Sequence, residues 1–393
     1  MPKMINRKLH SWASIADEKA VEQAEALSRL PFIHPHIALM PDVHAGKGSA
    51  VGTVIPTRGA VIPAAVGVDI GCGMIAVETR YNREDIENLN LEELRDKIEK
   101  EIPLSPGNYN KYVHYEHTQS RVKKLEELAE RLNVDLSHSP KWREQLGSLG
   151  GGNHFIELCL DERDHVWLIL HSGSRGVGNK IAQKHIKIAQ KLMKKWHIQL
   201  EDTDHAYLPE GVPEFSRYLK DLQWAQAFAM YNRDEMMDRF VTQFGIAIGT
   251  HDFDSIEVKR INCHHNYTER QNMRGSNVWL TRKGAIKANK GTMGLIPGSM
   301  GAKSYIVRGL GNEHGLYSAP HGAGRVLSRT QAKKRFTADD LASRMGEIVY
   351  RHGDAWVDEI PDAYKPIDQV MEDASDLVEV VHELRQIMNV KGT

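Results

Sequence analysis

Residues His154–His171 read HFIELCLDERDHVWLILH, and this stretch is the strongest indication of the fold. Two apolar runs flank a short polar segment, as expected for a β-hairpin with buried strands. With a two-residue loop at 162–163, the register places His154 directly opposite His171. Directly paired residues have Cβ atoms about 4.5–5.5 Å apart, close enough for two imidazoles to bind one metal ion. The alternative is a pair of strand-end histidines bound only by backbone groups.

Patterns along the rest of the chain favour an α+β fold in a single domain, residues 1–393, with central β-sheets and surrounding helices. Helical spacing of apolar residues, or helix-favouring composition, occurs at 18–30, 86–98, 122–132, 179–197, 222–245 and in the last sixty residues. Strand-like segments are 37–79, 154–160, 166–171 and 256–283, and a glycine-rich, irregular segment covers 284–329. Near the end of the chain, Leu377, Val380, Val381 and Leu384 are spaced as one apolar helical stripe.

The composition excludes several classes of protein. A formal net charge of −1 gives no global field for nucleic acid, so such a partner needs a local basic patch. Three cysteines cannot form a disulfide framework, which fits a reducing compartment. The N-terminal segment carries no continuous apolar signal region, and no apolar run approaches the ~20 residues that span a bilayer. We therefore expect a cytoplasmic protein without a membrane partner.

A glycine-rich turn, Val66–Met74, supplies two further candidate metal ligands, Asp69 and Cys72. His265 lies in a strand-like segment in which adjacent side chains point to opposite faces. With His154 and His171 these residues make five candidate ligands, enough for two ions that share a bridging anion. A Cys/His-rich set favours zinc, whereas a carboxylate tolerates manganese, so the residue types leave the metal open.

Three loops of small residues are candidate phosphate sites. The segment Ser318–Arg325 presents His321 with little steric cover, and 298–304 and 171–176 combine small residues with hydroxyls and a cation. Each loop alone is more often a structural turn. The P-loop pattern and the Lys-x-Asp-Gly signature of lysine-dependent nucleotidyltransferases are both absent, so a nucleotidyl group would need another nucleophile.

A stripe of lysines follows the loop at 171–176. Lysines at 180, 184, 187, 191 and 195 share one face of the predicted helix at 179–197. Such a stripe is usually a solvated face, but its position beyond His171 and Arg175 could draw a polyanion toward the site.

Together, these motifs resemble the RtcB family of RNA-splicing ligases almost from end to end. The matching segments are Met40–His44, the Val66–Gly73 turn, Gly151–Phe155, His171–Arg175, His265–Asn266, Pro297–Gly301 and His321–Arg325. The resemblance implies an RtcB-like domain with a deep metal and nucleotide pocket. It also implies an enzyme that uses GTP and two manganese ions to join an RNA 3′-phosphate or 2′,3′-cyclic phosphate to a 5′-hydroxyl, in splicing or repair. An accessory activating protein is compatible with this interpretation.

The resemblance also assigns roles to individual residues. Cys72 is expected to bridge the ions, with His154 and His171 completing one and Asp69 and His265 the other. His321 is expected to attack GTP and carry GMP, with Asp42 supporting the metal site. The expected guanylate-binding residues are Asn153, Glu157, Ser299, Ser304, His321, Gly322, Ala323, Gly324 and Lys391. Arg175 and Arg325 are expected to contact phosphates.

Two alternatives remain at this point. A dinuclear metal phosphoesterase needs the Asp/Cys/His set but has no use for an exposed His321. An RNA-binding repair or translation factor without chemistry is harder to reconcile with a complete set of ligands and a nucleophile.

Overall fold

The computed structural model describes residues 2–113 and 115–393 and has a mixed α and β fold. The strands are β1 Lys3–Asn6, β2 Leu9–Ser11, β3 Ile37–His44, β4 Val51–Thr57, β5 Ala60–Val61, β6 Gly73–Asn82, β7 Phe155–Leu160, β8 His165–Ser172, β9 Leu208–Pro209, β10 Glu257–His264, β11 Asn266–Met273, β12 Ser276–Lys283, β13 Ala285–Lys287, β14 Met293–Ile296, β15 Ser304–Gly309, β16 Ser318–Pro320 and β17 Val378–Val390. The helices are α1 Glu18–Ser28, α2 Pro63–Val66, α3 Leu91–Glu101, α4 Glu116–Leu132, α5 Trp142–Gln145, α6 Arg175–Lys195, α7 Pro213–Ala247, α8 Arg329–Arg335, α9 Ala338–Met345 and α10 Ile367–Asp373. Short 3₁₀ turns occupy Glu84–Ile86, Thr203–His205, Asp354–Glu359 and Pro361–Ala363.

Two large sheets organise the fold. One has six strands in the order β1-β2-β3-β4-β12-β11, and the other has seven in the order β10-β6-β8-β7-β17-β15-β14. The chain passes from the second sheet to the first at His265, the single residue between β10 and β11. The sheet junction therefore lies at a candidate metal ligand.

The predicted hairpin is β7–β8, in the middle of the seven-stranded sheet, but its register differs from the prediction by one residue. Phe155, not His154, pairs with His171, and Leu160 pairs with Val166. The loop is longer than two residues because the Asp161 amide bonds the His165 carbonyl. His154 therefore precedes β7, outside the strand ladder.

Both faces of this sheet are covered, which explains the continuous apolar runs. Leu168 and Leu170 pack with Phe240 and Phe244 of the long helix α7 on one face. On the other face, Trp167 and Ile169 belong to a cluster that also contains residues of the six-stranded sheet, among them Met40, Val54 and Leu280. Because one apolar cluster joins the two sheets, we propose that the chain forms a single domain.

The prediction of helix in the last sixty residues is wrong for 378–390, which form β17 between β7 and β15. Two register shifts interrupt the strand, one at Val381 and one at Ile387. A β-bulge breaks the two-residue alternation of side chains. The apolar residues at 377–384 consequently repeat at a spacing that imitates a helix.

The other predicted segments differ from the observed helices and strands mainly at their ends. The segment 284–329 is not irregular throughout, because it contains β13 to β16. Helix α6 begins at Arg175, and α7 extends the predicted 222–245 in both directions. Ile86 lies in a separate 3₁₀ turn before α3. Within residues 2–113 and 115–393, no helix is both long and apolar enough to cross a membrane.

Candidate metal centre and nucleotide pocket

The turn between α2 and β6 carries Asp69 and Cys72. Gly71 adopts a left-handed conformation (φ +70°), and a Cβ atom there would meet the Ala229 side chain at 2.8 Å. The Cys72 carbonyl accepts a hydrogen bond of 2.7 Å from the amide of His265. The turn is thus bonded directly to the junction between the two sheets.

The five predicted ligands converge on one another. The Cys72 Sγ atom lies 3.4 Å from His154 Nε2 and 3.2 Å from His171 Nε2. His154 Nε2 is 3.1 Å from Asp69 Oδ2, and His171 Nε2 is 2.9 Å from His265 Nε2. These contacts divide the ligands into Asp69–Cys72–His154 and Cys72–His171–His265. This grouping differs from the expected division, in which His154 and His171 share one ion. The reason is that His171 points toward the sheet junction while His154 reaches Asp69.

The other ring nitrogen of each histidine contacts an oxygen that can only accept a hydrogen bond. The contacts are His154 Nδ1 to the Leu149 carbonyl at 2.8 Å, His171 Nδ1 to the Asn153 carbonyl at 3.2 Å and His265 Nδ1 to Asn266 Oδ1 at 3.1 Å. With the proton on Nδ1, every Nε2 carries a lone pair. Lone pairs facing each other at 2.9 Å repel unless a cation lies between them. The donor set therefore fits metal ions.

The protonation states agree with metal binding. Burial lowers the pKa of His171 and of His265 well below the ordinary value, which keeps both rings neutral. Burial acts to raise the pKa of Asp69, but the hydrogen bond and positive charge that His154 supplies when no cation is bound bring it down to about 2, and a metal ion would take the place of that charge. Burial raises the pKa of the Cys72 thiol, and a bound cation would reverse this by stabilising the thiolate.

His321 stands beside this cluster. Its ring centroid is 4.6 Å from that of His265. Its Nδ1 lies 2.6 Å from Asp42 Oδ2, which also accepts a 3.0 Å hydrogen bond from the His321 amide. Asp42 is fully buried. The carboxylate thus contacts the predicted nucleophile rather than a metal ligand, and it leaves Nε2 of His321 as the free ring nitrogen.

A pocket of about 260 Å³ opens on the other side of His321. Eight of the nine predicted guanylate residues line it, together with His171 and Arg325. The eight are Asn153, Glu157, Ser299, His321, Gly322, Ala323, Gly324 and Lys391. Ser304 is not in the lining, and its buried hydroxyl accepts a 3.3 Å hydrogen bond from the Gly298 amide. Asn153 and Glu157 line the pocket and His154 does not.

Glu359, which the sequence analysis missed, organises the charged wall of this pocket. Its carboxylate contacts Lys391 Nζ at 3.0 Å, the Tyr364 hydroxyl at 2.8 Å and Arg325 Nη1 at 3.2 Å. Burial opposes ionisation, but Lys391 and the arginines Arg329 and Arg325 lower the pKa of Glu359 to about 2. The 3₁₀ segment that holds it has no recognisable motif, so no sequence signal marked it.

Comparison with known proteins identifies the family. A family model described as tRNA-splicing ligase RtcB matches residues 23–392. The chain is 47% identical to RNA-splicing ligase RtcB of Escherichia coli K12 over 395 residues, which cover 95% of this chain and 94% of the relative. The chain belongs to the RtcB family. RtcB proteins are RNA ligases, and this protein is an enzyme of that class.

More distant relatives match this chain over a similar share of its length. RNA-splicing ligase RtcB2 of E. coli ATCC 25922 is 30% identical over 401 residues, with 95% of this chain and 92% of the relative covered. The tRNA-splicing ligase RtcB of Pyrobaculum aerophilum is 30% identical over 446 residues, with 95% and 91% covered.

The two arginines expected to contact phosphates differ in their surroundings. Arg325 lines the pocket, but its guanidinium donates to the Asp358 and Leu327 carbonyls and to Tyr364 in addition to Glu359. Arg175 is outside the pocket lining and donates to Ser148 Oγ at 3.2 Å. Burial lowers the pKa of Arg175, and the charge of Asp69 offsets only part of this effect. Arg325 is therefore placed to shape the RtcB pocket, and Arg175 lies on the Asp69 side.

Helix α7 contributes two buried polar residues that bind the backbone next to the candidate ligands Cys72 and His171. Arg233 donates to the Gly71 carbonyl at 2.8 Å and to the Ser172 carbonyl at 3.1 Å. Asn232 donates to the Gly173 carbonyl at 3.1 Å. The sequence signal was weak, because Asn232 and Arg233 belong to a run of four polar residues, Asn232–Glu235, that lies between apolar segments of the helix.

Gly173 provides a test of the proposed role of Asp69. A Cβ atom at position 173 would lie 2.1 Å from Asp69 Oδ1, so Gly173→Ala must displace the carboxylate. We expect manganese affinity to fall by roughly 10–100-fold, the range for disturbed support of a metal ligand. Calorimetric titration with Mn²⁺ measures this. Gly176→Ala is the control, because its nearest contact is the flexible end of Gln145 at 3.3 Å. Equal affinities in the two variants would contradict the role of Asp69.

Proposed function

We propose that the protein joins an RNA 3′-phosphate or 2′,3′-cyclic phosphate end to a 5′-hydroxyl end, using GTP and manganese through a GMP adduct on His321. The observation that carries this proposal is the position of His321, between the converging ligand set and a pocket of nucleotide size. Its Nδ1 is 2.6 Å from Asp42, which leaves Nε2 as the nucleophilic atom. A neutral imidazole is a competent nucleophile near pH 7, so the site does not require a lysine.

The residues that would hold two manganese ions are Asp69, Cys72, His154, His171 and His265, with the Cys72 thiolate between the two groups. When bound, the ions would neutralise the charge that develops on the phosphates during transfer. Cysteine and histidine ligands are also compatible with zinc, so manganese rests on the likeness to the family.

The steps follow from the nucleophile. His321 Nε2 attacks the α-phosphorus of GTP, forming a P–N bond as pyrophosphate leaves. An oxygen of the RNA 3′-phosphate then attacks the same phosphorus and breaks the P–N bond, leaving the RNA end capped by GMP. The 5′-hydroxyl attacks the 3′-phosphate, its proton is lost, and GMP departs as the new phosphodiester forms. A cyclic end must first be hydrolysed to the 3′-phosphate.

The proposed guanylate site recognises the base through Glu157. Guanine presents adjacent N–H donors on its Watson–Crick edge, and a carboxylate accepts both. Asn389 Nδ2 donates to Glu157 Oε1 at 2.9 Å and fixes the side chain at the pocket wall. Lys391 and Ser299 supply further polar contacts. Adenine has no matching pair of donors, so we expect GTP to be preferred over ATP.

Intact-mass analysis after incubation with GTP and manganese tests the proposal. We expect an acid-labile GMP adduct on the unmodified enzyme and none on His321→Ala. His251→Ala, at an exposed histidine outside the site, should form the adduct normally. A phosphoesterase would process RNA ends without any adduct, and a protein with RNA binding alone would do neither. Absence of the adduct from the manganese-loaded enzyme would contradict the ligase mechanism.

A pH dependence of GTP affinity should report on Glu157. Burial raises the pKa of this carboxyl to about 8, so below that pH it is mostly protonated and cannot accept both guanine donors. GTP affinity should therefore increase from pH 6 to pH 8. Glu157→Gln should bind GTP about thirtyfold more weakly at pH 8, from loss of ~2 kcal/mol of charged hydrogen bonding.

The Glu157→Gln variant also serves as the control for the pH dependence of GTP affinity. Titration of the triphosphate affects both proteins equally, so the ratio of their dissociation constants isolates the carboxyl group. A ratio that stays constant between pH 6 and pH 8 would show that Glu157 does not bind guanine as a carboxylate.

A further inference from the structure

A second cavity, of about 490 Å³, borders the ligand cluster and shares no lining residue with the nucleotide pocket. Asp69 and Asn266 line it, whereas His171 and His321 line the nucleotide pocket. Each cavity therefore borders the proposed metal centre at a different ligand, so a second substrate can approach the centre without entering the nucleotide pocket.

The outer part of this cavity is basic. Lys47 and Lys187 line it, and both side chains are exposed. In the described part of the chain, neither ammonium group has a carboxylate partner within the distance of an ion pair. Lys187 belongs to the lysine stripe of α6 and lines the same cavity as Asp69, so the cavity connects this end of the stripe to the proposed reaction centre. Asp69 and Asp204 are the opposing charges in the lining, and Gln190 Nε2 lies 3.3 Å from the Asp204 carboxylate.

A buried lysine holds the loop that presents Lys47. Lys283 Nζ donates to the Ser49 carbonyl at 2.7 Å and also to the Lys47 carbonyl. Burial lowers the pKa of Lys283 to about 8, which reflects the cost of keeping a cation in this position. The backbone of Lys47 is thus fixed at the rim of the cavity, while its side chain stays available to a ligand.

We propose that this cavity binds the sugar–phosphate backbone next to a reacting RNA end, with Lys47 and Lys187 contacting its phosphates. The inference rests on the proposed function, which requires a phosphate-bearing strand to reach the metal centre while guanylate occupies the other pocket. Unpaired ammonium groups bind phosphates without reading the bases, so the site should tolerate any sequence. The strand ending in the 3′-phosphate and the strand starting with the 5′-hydroxyl share this chemistry.

The double variant Lys47→Ala/Lys187→Ala tests the proposal. Adduct formation with GTP needs no RNA and serves as the internal reference. GMP transfer to a single-stranded RNA oligonucleotide with a 3′-phosphate, and joining of that oligonucleotide to one with a 5′-hydroxyl, are then measured at several salt concentrations. We expect KM for RNA to rise about tenfold with little change in kcat, equally for unrelated sequences. The slope of log affinity against log salt should decrease by about 0.7 per lysine, as expected for single strands.

Controls separate local phosphate binding from other effects. Lys123→Ala/Lys124→Ala removes the same charge from the exposed surface of α4, outside the cavity lining, and should leave RNA kinetics unchanged. Lys47→Arg/Lys187→Arg should restore binding because it keeps both charges. Weaker GMP transfer would assign the cavity to the 3′-phosphate strand, and weakening of joining alone would assign it to the 5′-hydroxyl strand.

Three results would overturn the inference. They are unchanged transfer and joining in the Lys47/Lys187 double variant, an equal loss in the Lys123/Lys124 control, and no rescue by arginine. A wild-type enzyme that forms no GMP adduct would instead contradict the proposed function itself, so the two failures are distinguishable.

Discussion

Cys72→Ser is expected to abolish both GMP-adduct formation and RNA joining, with a rate loss of at least about 10³-fold, since several kcal/mol of charge stabilisation disappear. The Cys72 sulfur is common to both ligand groups, with His154 Nε2 at 3.4 Å and His171 Nε2 at 3.2 Å. A serine hydroxyl keeps its proton and cannot balance two cations. Manganese bound per chain, measured by mass spectrometry of the metal, should fall in parallel with the rate.

A second cysteine provides the matched control. Cys263 is partly buried in β10 and, within residues 2–113 and 115–393, belongs to no group of potential metal ligands. Cys263→Ser should retain both manganese and activity. Full metal content and full activity in Cys72→Ser would remove the bridging thiolate from the mechanism.

Asp42→Asn should slow adduct formation by about 10²–10⁴-fold without loss of bound manganese, as when a carboxylate that orients a catalytic histidine becomes an amide. Asp42 Oδ2 contacts both Nδ1 and the amide of His321 and directs the free Nε2 toward the pocket. An asparagine amide can donate to Nδ1, which moves the ring proton to Nε2 and blocks attack. The measurement is the single-turnover rate of adduct formation, with manganese content determined on the same sample.

Asp221→Asn separates this effect from a general cost of altering a buried carboxylate. Asp221 is also buried and lies 2.7 Å from Nε2 of His185, outside the proposed site. We expect this variant to lose thermal stability but to form the adduct at the normal rate. A comparable slowing in the two variants, or a loss of manganese in Asp42→Asn, would contradict an orienting role for Asp42.

Local sequence patterns predicted the parts of the fold whose neighbours are close in the chain. The β7–β8 hairpin is such a part, and its error of one residue arose in the loop, where Asp161 bonds His165. The pattern failed for β17, because bulges at Val381 and Ile387 disrupt the alternation that identifies a strand. Long-range pairing with β7 and β15, rather than local spacing, makes this segment a strand.

In the candidate site, too, some features could be predicted from the sequence and others depend on long-range packing. The kinds of ligand were readable from the chain, because carboxylate, thiol and imidazole groups in glycine-rich turns have few structural uses. Their grouping was not readable, since it depends on His265 lying at the junction of two sheets. Asp42 and His321 are 279 residues apart, and Glu359 meets Lys391 through packing alone.

By itself, therefore, the sequence determined the family of this RtcB protein, and it predicted the types of metal ligand and the histidine nucleophile that we propose. Only the tertiary structure decided which atoms meet. It divided the five candidate ligands into two groups around Cys72, brought Asp42 into contact with His321, and placed two separate cavities next to the candidate ligands. The physical reason is that residue type and local spacing report on neighbours along the chain, whereas these contacts join strands and loops that only sheet packing brings together.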